Sequence, residues 1–133
     1  MVVLQNVSKY YYTDTSVIQA LRKINLEFGI GEFVAITGES GSGKSTLLNV
    51  ISGMDTFDEG EMYYDGEPTF QYDAGDWEEF RRNKIGFVFQ NYNLIGHYSA
   101  LENIMSALLI MEMSEEEAKE RALSYLERVG LKE

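Results

Sequence analysis

Cysteine is absent from the sequence, which excludes disulfides and thiolate metal sites and fits a reducing compartment. Proline, histidine and tryptophan occur once each, and no Pro/Gly/Ser-rich linker, internal repeat or low-complexity stretch divides the chain. No apolar run is long enough to span a bilayer, and no basic leader followed by an apolar stretch opens the chain. Basic side chains are scarce: 11 Lys and Arg stand against 22 Asp and Glu, for a net charge of −11. Residues 1–54 are neutral, with four charges of each sign, so residues 55–133 carry the whole excess. A surface that acidic repels a phosphate backbone, which disfavours a nucleic-acid-binding module and reads as a solvated acidic face. What remains is ordinary for a globular chain: 44% of the 133 residues are hydrophobic and 25% charged, enough for one domain with a core.

Strand and helix signals alternate along the chain. Val2–Val7 (VVLQNV) and Ile24–Phe28 (INLEF) alternate as strands with one solvated face, and a polar turn at Thr13–Ser16 lies between them. The apolar run in EFVAIT (residues 32–37) predicts a strand buried on both faces of a parallel sheet. EMYYDGEP predicts a strand entering a turn at Asp65 and Gly66, closed by Pro68, and KIGFVFQ (Lys84–Gln90) predicts a further strand. Three pairs have capping-box spacing: Asp76 with Glu79, Ser99 with Glu102, and Ser114 with Glu117. Beyond the second, Leu101, Ile104, Met105 and Leu108 repeat at helical spacing. Beyond the third, Ala118, Ala122, Leu126 and Val129 do the same, with Gly130 as the stop.

The chemistry is concentrated in ITGESGSGKSTLLNVISG, Ile36 to Gly53. Gly38, Glu39, Ser40, Gly41, Ser42, Gly43, Lys44 and Ser45 satisfy the P-loop pattern of glycine, four residues, then glycine-lysine-serine. Glycines let such a loop turn successive N–H groups inward into a concave nest for phosphate oxygens. A helix beginning near Gly43 and stopped by Gly53 aims its positive dipole end at the same place, so the amides of residues 38 to 46, through Thr46, face the phosphates. Lys44 would reach the β- and γ-phosphates and Ser45 would place its hydroxyl on Mg²⁺. A flexible Gly/Ser loop is the bland alternative, but an apolar strand before it and an apolar helix after it favour the nucleotide site. His97 reads as an exposed loop residue, and Met105, Met111 and Met113 read as core or partner-facing, since thioethers alone are a poor ligand set.

More than the P-loop carries a family likeness. The stretches LQNVSKYYY, VIQALRKINLEFGIGEFVAITGESGSGKSTLLNVISGMDTFDEGEMYYDGE and RRNKIGFVFQNYNLIGHYSALENI together cover nearly the whole chain. In them the sequence resembles the ATP-binding subunit of ABC transporters, nearest to the macrolide-export, lipoprotein-release and antimicrobial-peptide-transport subfamily. The resemblance implies an α/β fold: a P-loop NTPase core with an antiparallel β subdomain and the start of a helical subdomain, truncated. It implies ATP and Mg²⁺ as ligands. Tyr11 would stack on adenine; the bland alternative is an ordinary strand-end tyrosine, since two others flank it. Ala20 would line the base or simply pack. Gln90 would complete Mg²⁺ coordination and sense the γ-phosphate, where a glutamine at a strand end is otherwise just solvated. Glu39 departs from the many relatives with proline there and brings a carboxylate near the phosphates.

The resemblance also implies elements that do not occur in this sequence: a signature motif, a Walker B aspartate with a catalytic glutamate, and a switch histidine. The stretch LLIME (Leu108–Glu112) has four apolar residues and an acid, but it lacks the aspartate and falls within the helical repeat. Residues 1–133 are thus expected to form the N-terminal part of one ATP-binding domain, able to hold nucleotide and unable to hydrolyse it appreciably alone. The implied partners are a membrane permease subunit and a second copy of the ATPase subunit, with no nucleic acid. The implied location is the cytoplasmic face of the cell membrane, through the permease. Two other readings stay open: an ABC-type ATPase in a non-transport role such as division or signalling, and a non-hydrolytic nucleotide-binding module.

Overall fold

The computed structural model describes residues 1–131, which divide into two compact units, residues 1–81 and residues 82 onward. The first unit is built on a four-stranded antiparallel sheet of order β2-β1-β3-β4. Its strands are β1 (Val2–Tyr12), β2 (Val17–Phe28), β3 (Glu59–Tyr64) and the short β4 (Glu67–Pro68). The expected strand segments Val2–Val7 and Ile24–Phe28 are therefore the paired ends of a longer hairpin, Val2 opposite Phe28 and Tyr12 opposite Val17. Its tip is held by the Thr13–Ser16 turn, where the Thr13 N–H donates to the Ser16 carbonyl at 2.8 Å. Asp65 and Gly66 both have positive φ, 49° and 84°, as the tight β3–β4 turn requires.

The hairpin is bulged, and side chains satisfy what the bulges leave open. Asn6 sits at φ 52° in one irregularity, and its N–H donates to Asn25 Oδ1 at 3.0 Å. Lys23 sits at φ 44° in the next, where its N–H donates to Ser8 Oγ at 3.1 Å. A third falls between Lys9 and Tyr10: their partners are Leu21 and Gln19, so Ala20 is the extra residue. Bulges of this kind turn a strand and re-aim its side chains.

Helix α1 (Lys44–Ile51) packs on the sheet through Leu47 and Val50, one turn apart, against Leu4, Val7, Leu21 and Met62. Each such buried side chain is worth roughly 1.5–3 kcal/mol relative to exposure. The helix ends as expected at Gly53, whose φ is 72° and whose N–H donates to the Val50 carbonyl at 3.1 Å. A Cβ there would lie 2.6 Å from the Trp77 ring, so the position needs glycine for space as well as for backbone. Trp77 and Phe80 belong to α2 (Ala74–Lys84) and stack edge-on to each other and to Tyr72. The start of α2 corrects the sequence expectation. Asp73 and Asp76 exchange reciprocal bonds (Asp73 N–H to Asp76 Oδ2, 3.0 Å; Asp76 N–H to Asp73 Oδ1, 2.9 Å), so the capping position is Asp73 and not Asp76, and the helix begins at Ala74.

The second unit contains the helical hairpin α3 (Ala100–Ile110) and α4 (Glu115–Arg128). Ser99 and Glu102 form the expected capping box, and Ser114 Oγ accepts from the Glu117 N–H. Ala118 and Ala122 are fully buried and present no bulk, which lets α4 approach Leu108, with Leu101, Ile104, Met105 and Met113 packed around them. Met105 and Met113 are thus core residues, whereas Met111 is exposed, as is His97 beside Tyr98. Gly130 stops α4 at φ 80°, and the Leu131 N–H returns to the Leu126 carbonyl at 2.8 Å. Val129 is 71% exposed and is not part of the buried stripe, because the helix has already ended there.

Two expected strands are not formed. Residues 32–37 and 85–89 belong to no strand and pair with no neighbouring strand among the described residues, and Lys84 is absorbed into α2. Phe33 and Val88 are each 97% exposed. A parallel strand exists only as a member of a ladder, and a run that is apolar on both faces has no amphipathic side with which to settle alone. Ile36 is the exception: it packs against the first unit's core and anchors the segment just before the phosphate loop.

Candidate nucleotide-binding site

The loop 38–43 leads directly into α1, and Gly43 caps that helix in a left-handed conformation, φ 95°. Gly43 has no side chain to satisfy the free N–H groups of the first turn, and that turn holds no acidic residue. The positive end of the helix is therefore left to whatever anion approaches. The same glycine permits a close approach to the sheet, since a Cβ on Gly43 would lie 2.6 Å from the Ala20 carbonyl oxygen. The bulge at Ala20 and the loop glycine meet at one point.

Lys44 is folded back over its own loop. Its Nζ donates to the carbonyl of Gly38 at 2.8 Å, to that of Glu39 at 2.6 Å and to Ser42 Oγ at 3.3 Å. The ammonium thus ties the two ends of the loop together and stands at its mouth, where exchanging carbonyl oxygens for phosphate oxygens keeps its charge paired. Glu39 contributes its carbonyl to this arrangement, and its side chain is exposed.

Beside the loop lies a cavity of ≈ 350 Å³ lined by Tyr11, Ala20, Ser40, Gly41, Gly43, Lys44, Ser45 and Thr46. Tyr11 comes from β1, Ala20 from the β2 bulge, and the rest from the loop and the first turn of α1. Residues read from the sequence as phosphate-facing and residues read as base-facing therefore border one space. Gly38, Glu39 and Ser42 complete the loop through their contacts with Lys44. Gln90 belongs to the second unit, where it is exposed in a turn and not at a strand end.

Two residues that contact Tyr11 carried no signal in the sequence. The Tyr11 hydroxyl donates to Asp55 Oδ2 at 2.8 Å, and Lys9 Nζ donates to Asp55 Oδ1 at 3.2 Å while lying 5.3 Å from the centre of the Tyr11 ring. Lys9 and Asp55 are 46 positions apart, and each reads alone as an ordinary surface charge. Partial burial pushes the Asp55 carboxyl up, but bonds from the Tyr11 hydroxyl, the Thr56 N–H and Lys9 outweigh it and hold the group below the usual aspartate value.

An α/β chain with a glycine-rich loop capping a helix beside the sheet is a P-loop nucleotide-binding protein. The family model described as ABC transporter matches residues 21–133. The chain belongs to the family of ABC transporter ATP-binding proteins. It is 46% identical to the ABC transporter ATP-binding protein MJ0796 of Methanocaldococcus jannaschii, an alignment covering 100% of this chain and 58% of that protein. It is 42% identical to the lipoprotein-releasing system ATP-binding protein LolD 2 of Chlorobaculum tepidum, over 95% of this chain and 53% of that one. The dimeric post-hydrolysis structure of the MJ0796 cassette with ADP and Pi superposes with a TM-score of 0.87 at 47% identity, over 96% of this chain and 56% of that one. The chain thus spans little more than half the length of these relatives.

Proposed function

We propose that residues 1–133 are the N-terminal part of one ATP-binding domain, and that the protein couples ATP binding and hydrolysis to movement of a substrate through a separate membrane permease. The observation that carries this reading is the shared cavity, which Tyr11 and Ala20 border on the sheet side and Ser40 to Thr46 on the loop side. The loop amides and the α1 terminus hold the triphosphate, Lys44 moves from its own loop carbonyls to the β- and γ-phosphate oxygens, and the Tyr11 ring takes the adenine. Ser45 offers a hard hydroxyl oxygen at the start of α1, a donor that suits Mg²⁺ alongside phosphate and water. Bound Mg²⁺ would neutralise charge on the phosphates. The lining of the cavity offers no carboxylate or imidazole to act as general base, so hydrolysis is assigned to parts of the ATPase beyond these residues and to a second copy of it.

Likeness to the lipoprotein-releasing ATPase supports export or extraction as the direction of transport, and likeness to a dimeric cassette supports a homodimer. No helix among the described residues is long and apolar enough to cross a membrane, so attachment to the inner membrane face is assigned to the permease. Calorimetric titration of the chain with Mg–ATP tests the reading. Wild type should bind and Lys44→Ala should bind at least about tenfold more weakly, as loss of a charge-assisted contact implies. Equal affinity in both, or none in wild type, would sink it. Turnover of ATP by the chain well above a Lys44→Ala control would refute the assignment of hydrolysis elsewhere.

A further inference from the structure

Stacking energy depends on ring orientation, and an exposed tyrosine on a strand end is free to rotate unless something holds its far end. Here something does. Tyr11 is 38% exposed, yet its hydroxyl is fixed by Asp55 Oδ2 at 2.8 Å, and the same carboxylate takes the ammonium of Lys9 on its other oxygen at 3.2 Å. Lys9 is itself only 7% exposed, so its charge has left water and needs the Asp55 partner. Thr56 closes the arrangement: its hydroxyl accepts from Lys9 at 3.4 Å and its N–H donates to Asp55 Oδ1 at 2.8 Å. The ammonium stands over one face of the Tyr11 ring, 5.3 Å from its centre, so a planar ligand can stack only on the other.

We propose that Asp55 and Lys9 are positioning residues for the purine base: together they lock the Tyr11 ring and so set the part of nucleotide affinity that depends on the base. This rests on the nucleotide-binding reading above. Neither residue borders the phosphate loop cavity, so their influence runs through Tyr11 alone.

The inference separates the two ends of the ligand, and so does its test. Calorimetric titrations of the full chain with Mg–ATP and with Mg–tripolyphosphate, which has the phosphates without the base, would compare wild type, Asp55→Ala, Tyr11→Phe and the double variant. Tyr11→Phe keeps the ring and removes only the bond to Asp55, so it reports even if Asp55→Ala fails to fold. Each single variant should weaken ATP about five- to tenfold, a size within the range of one base–aromatic stack, with tripolyphosphate unchanged within about twofold. The double variant should be no weaker than the singles, because both break one linkage. Equal losses for ATP and tripolyphosphate would make Asp55 a merely structural residue and overturn the proposal, as would ATP affinity untouched by Tyr11→Phe. Lys44→Ala should lose both ligands. If wild type bound neither ligand, the nucleotide reading itself would fall and this inference with it.

Discussion

Gly43 and Ala20 are in contact across the site: a Cβ on the loop glycine would fall 2.6 Å from the strand carbonyl oxygen. Backbone conformation and space point the same way, since Gly43 is also at φ 95°. The glycine-rich loop is thereby seated directly on the β2 bulge, so the wall proposed for a base and the cradle proposed for phosphates are built as one piece.

Gly43→Ala should accordingly disturb the loop more than the fold. The left-handed conformation and the clash together cost about 1–3 kcal/mol, which the loop can escape by moving away from Ala20. The expected outcome is loss of Mg–ATP binding with the chain still folded, read by calorimetry and circular dichroism on the same sample. Retention of wild-type affinity would contradict the assigned role.

At Gly53 the same substitution should act on stability instead. The added Cβ would meet Trp77 and Phe80 at 2.6–3.3 Å, and φ is 72°. Gly53→Ala is expected to lower the unfolding free energy by about 1–3 kcal/mol, with a changed tryptophan emission because Trp77 is the only indole. Denaturant unfolding followed by fluorescence checks both.

The capping box of α3 makes a pH-dependent prediction. The Ser99 N–H donates to Glu102 Oε2 at 2.7 Å, and this bond, with that of the Ser99 side chain, holds the Glu102 carboxyl below its usual range against a small opposing effect of burial; His97 adds to the lowering. A depressed carboxyl contributes stability that is present above its unfolded value of about 4.3 and is lost as pH falls through the lower folded value. The protection of amides at the start of α3, measured relative to their intrinsic exchange rate at each pH, should therefore fall below about pH 4. Ser99→Ala should lower that protection at neutral pH too, for a cap loss of about 1 kcal/mol. Protection that stays flat across this range would mean that the box does not stabilise the helix.

Exposed apolar side chains set the last expectation. Phe33 and Val88 are each 97% exposed in segments without strand partners, and such surface favours self-association. The chain should bind a hydrophobic dye and elute increasingly early in size exclusion as concentration rises. Phe33→Ser should weaken both effects. An unchanged elution volume across a hundredfold concentration range would be evidence against it.

Signals that live in a few adjacent residues were legible in the sequence. The Ser99–Glu102 box, the Asp65–Gly66 turn and the stops at Gly53 and Gly130 all rest on local backbone geometry. So does the P-loop, whose pattern encodes its own conformation. Tyr11 and Ala20 were reached through family likeness, and the cavity places both at the loop. What misled was pattern without its partners. The runs at 32–37 and 84–90 have strand composition but no ladder among the described residues, and the Asp76–Glu79 spacing was outcompeted by a better reciprocal pair at Asp73 and Asp76. Val129 kept the helical period one residue past the point where the helix stopped.

By itself the sequence determined the glycine-rich loop and the helix that follows it, the part proposed to hold phosphates, because its glycines, one lysine and an apolar helix encode that turn in contiguous backbone. Only the tertiary structure decided that Ala20 would be the bulged residue beneath Gly43, and that Asp55 would hold both Lys9 and Tyr11. Those contacts join positions 23 to 46 residues apart. Nothing in the local chain specifies them; they follow from the register of β1 on β2 and from the packing of Leu47 and Val50 on the sheet, which brings the end of α1 back to the strand it faces.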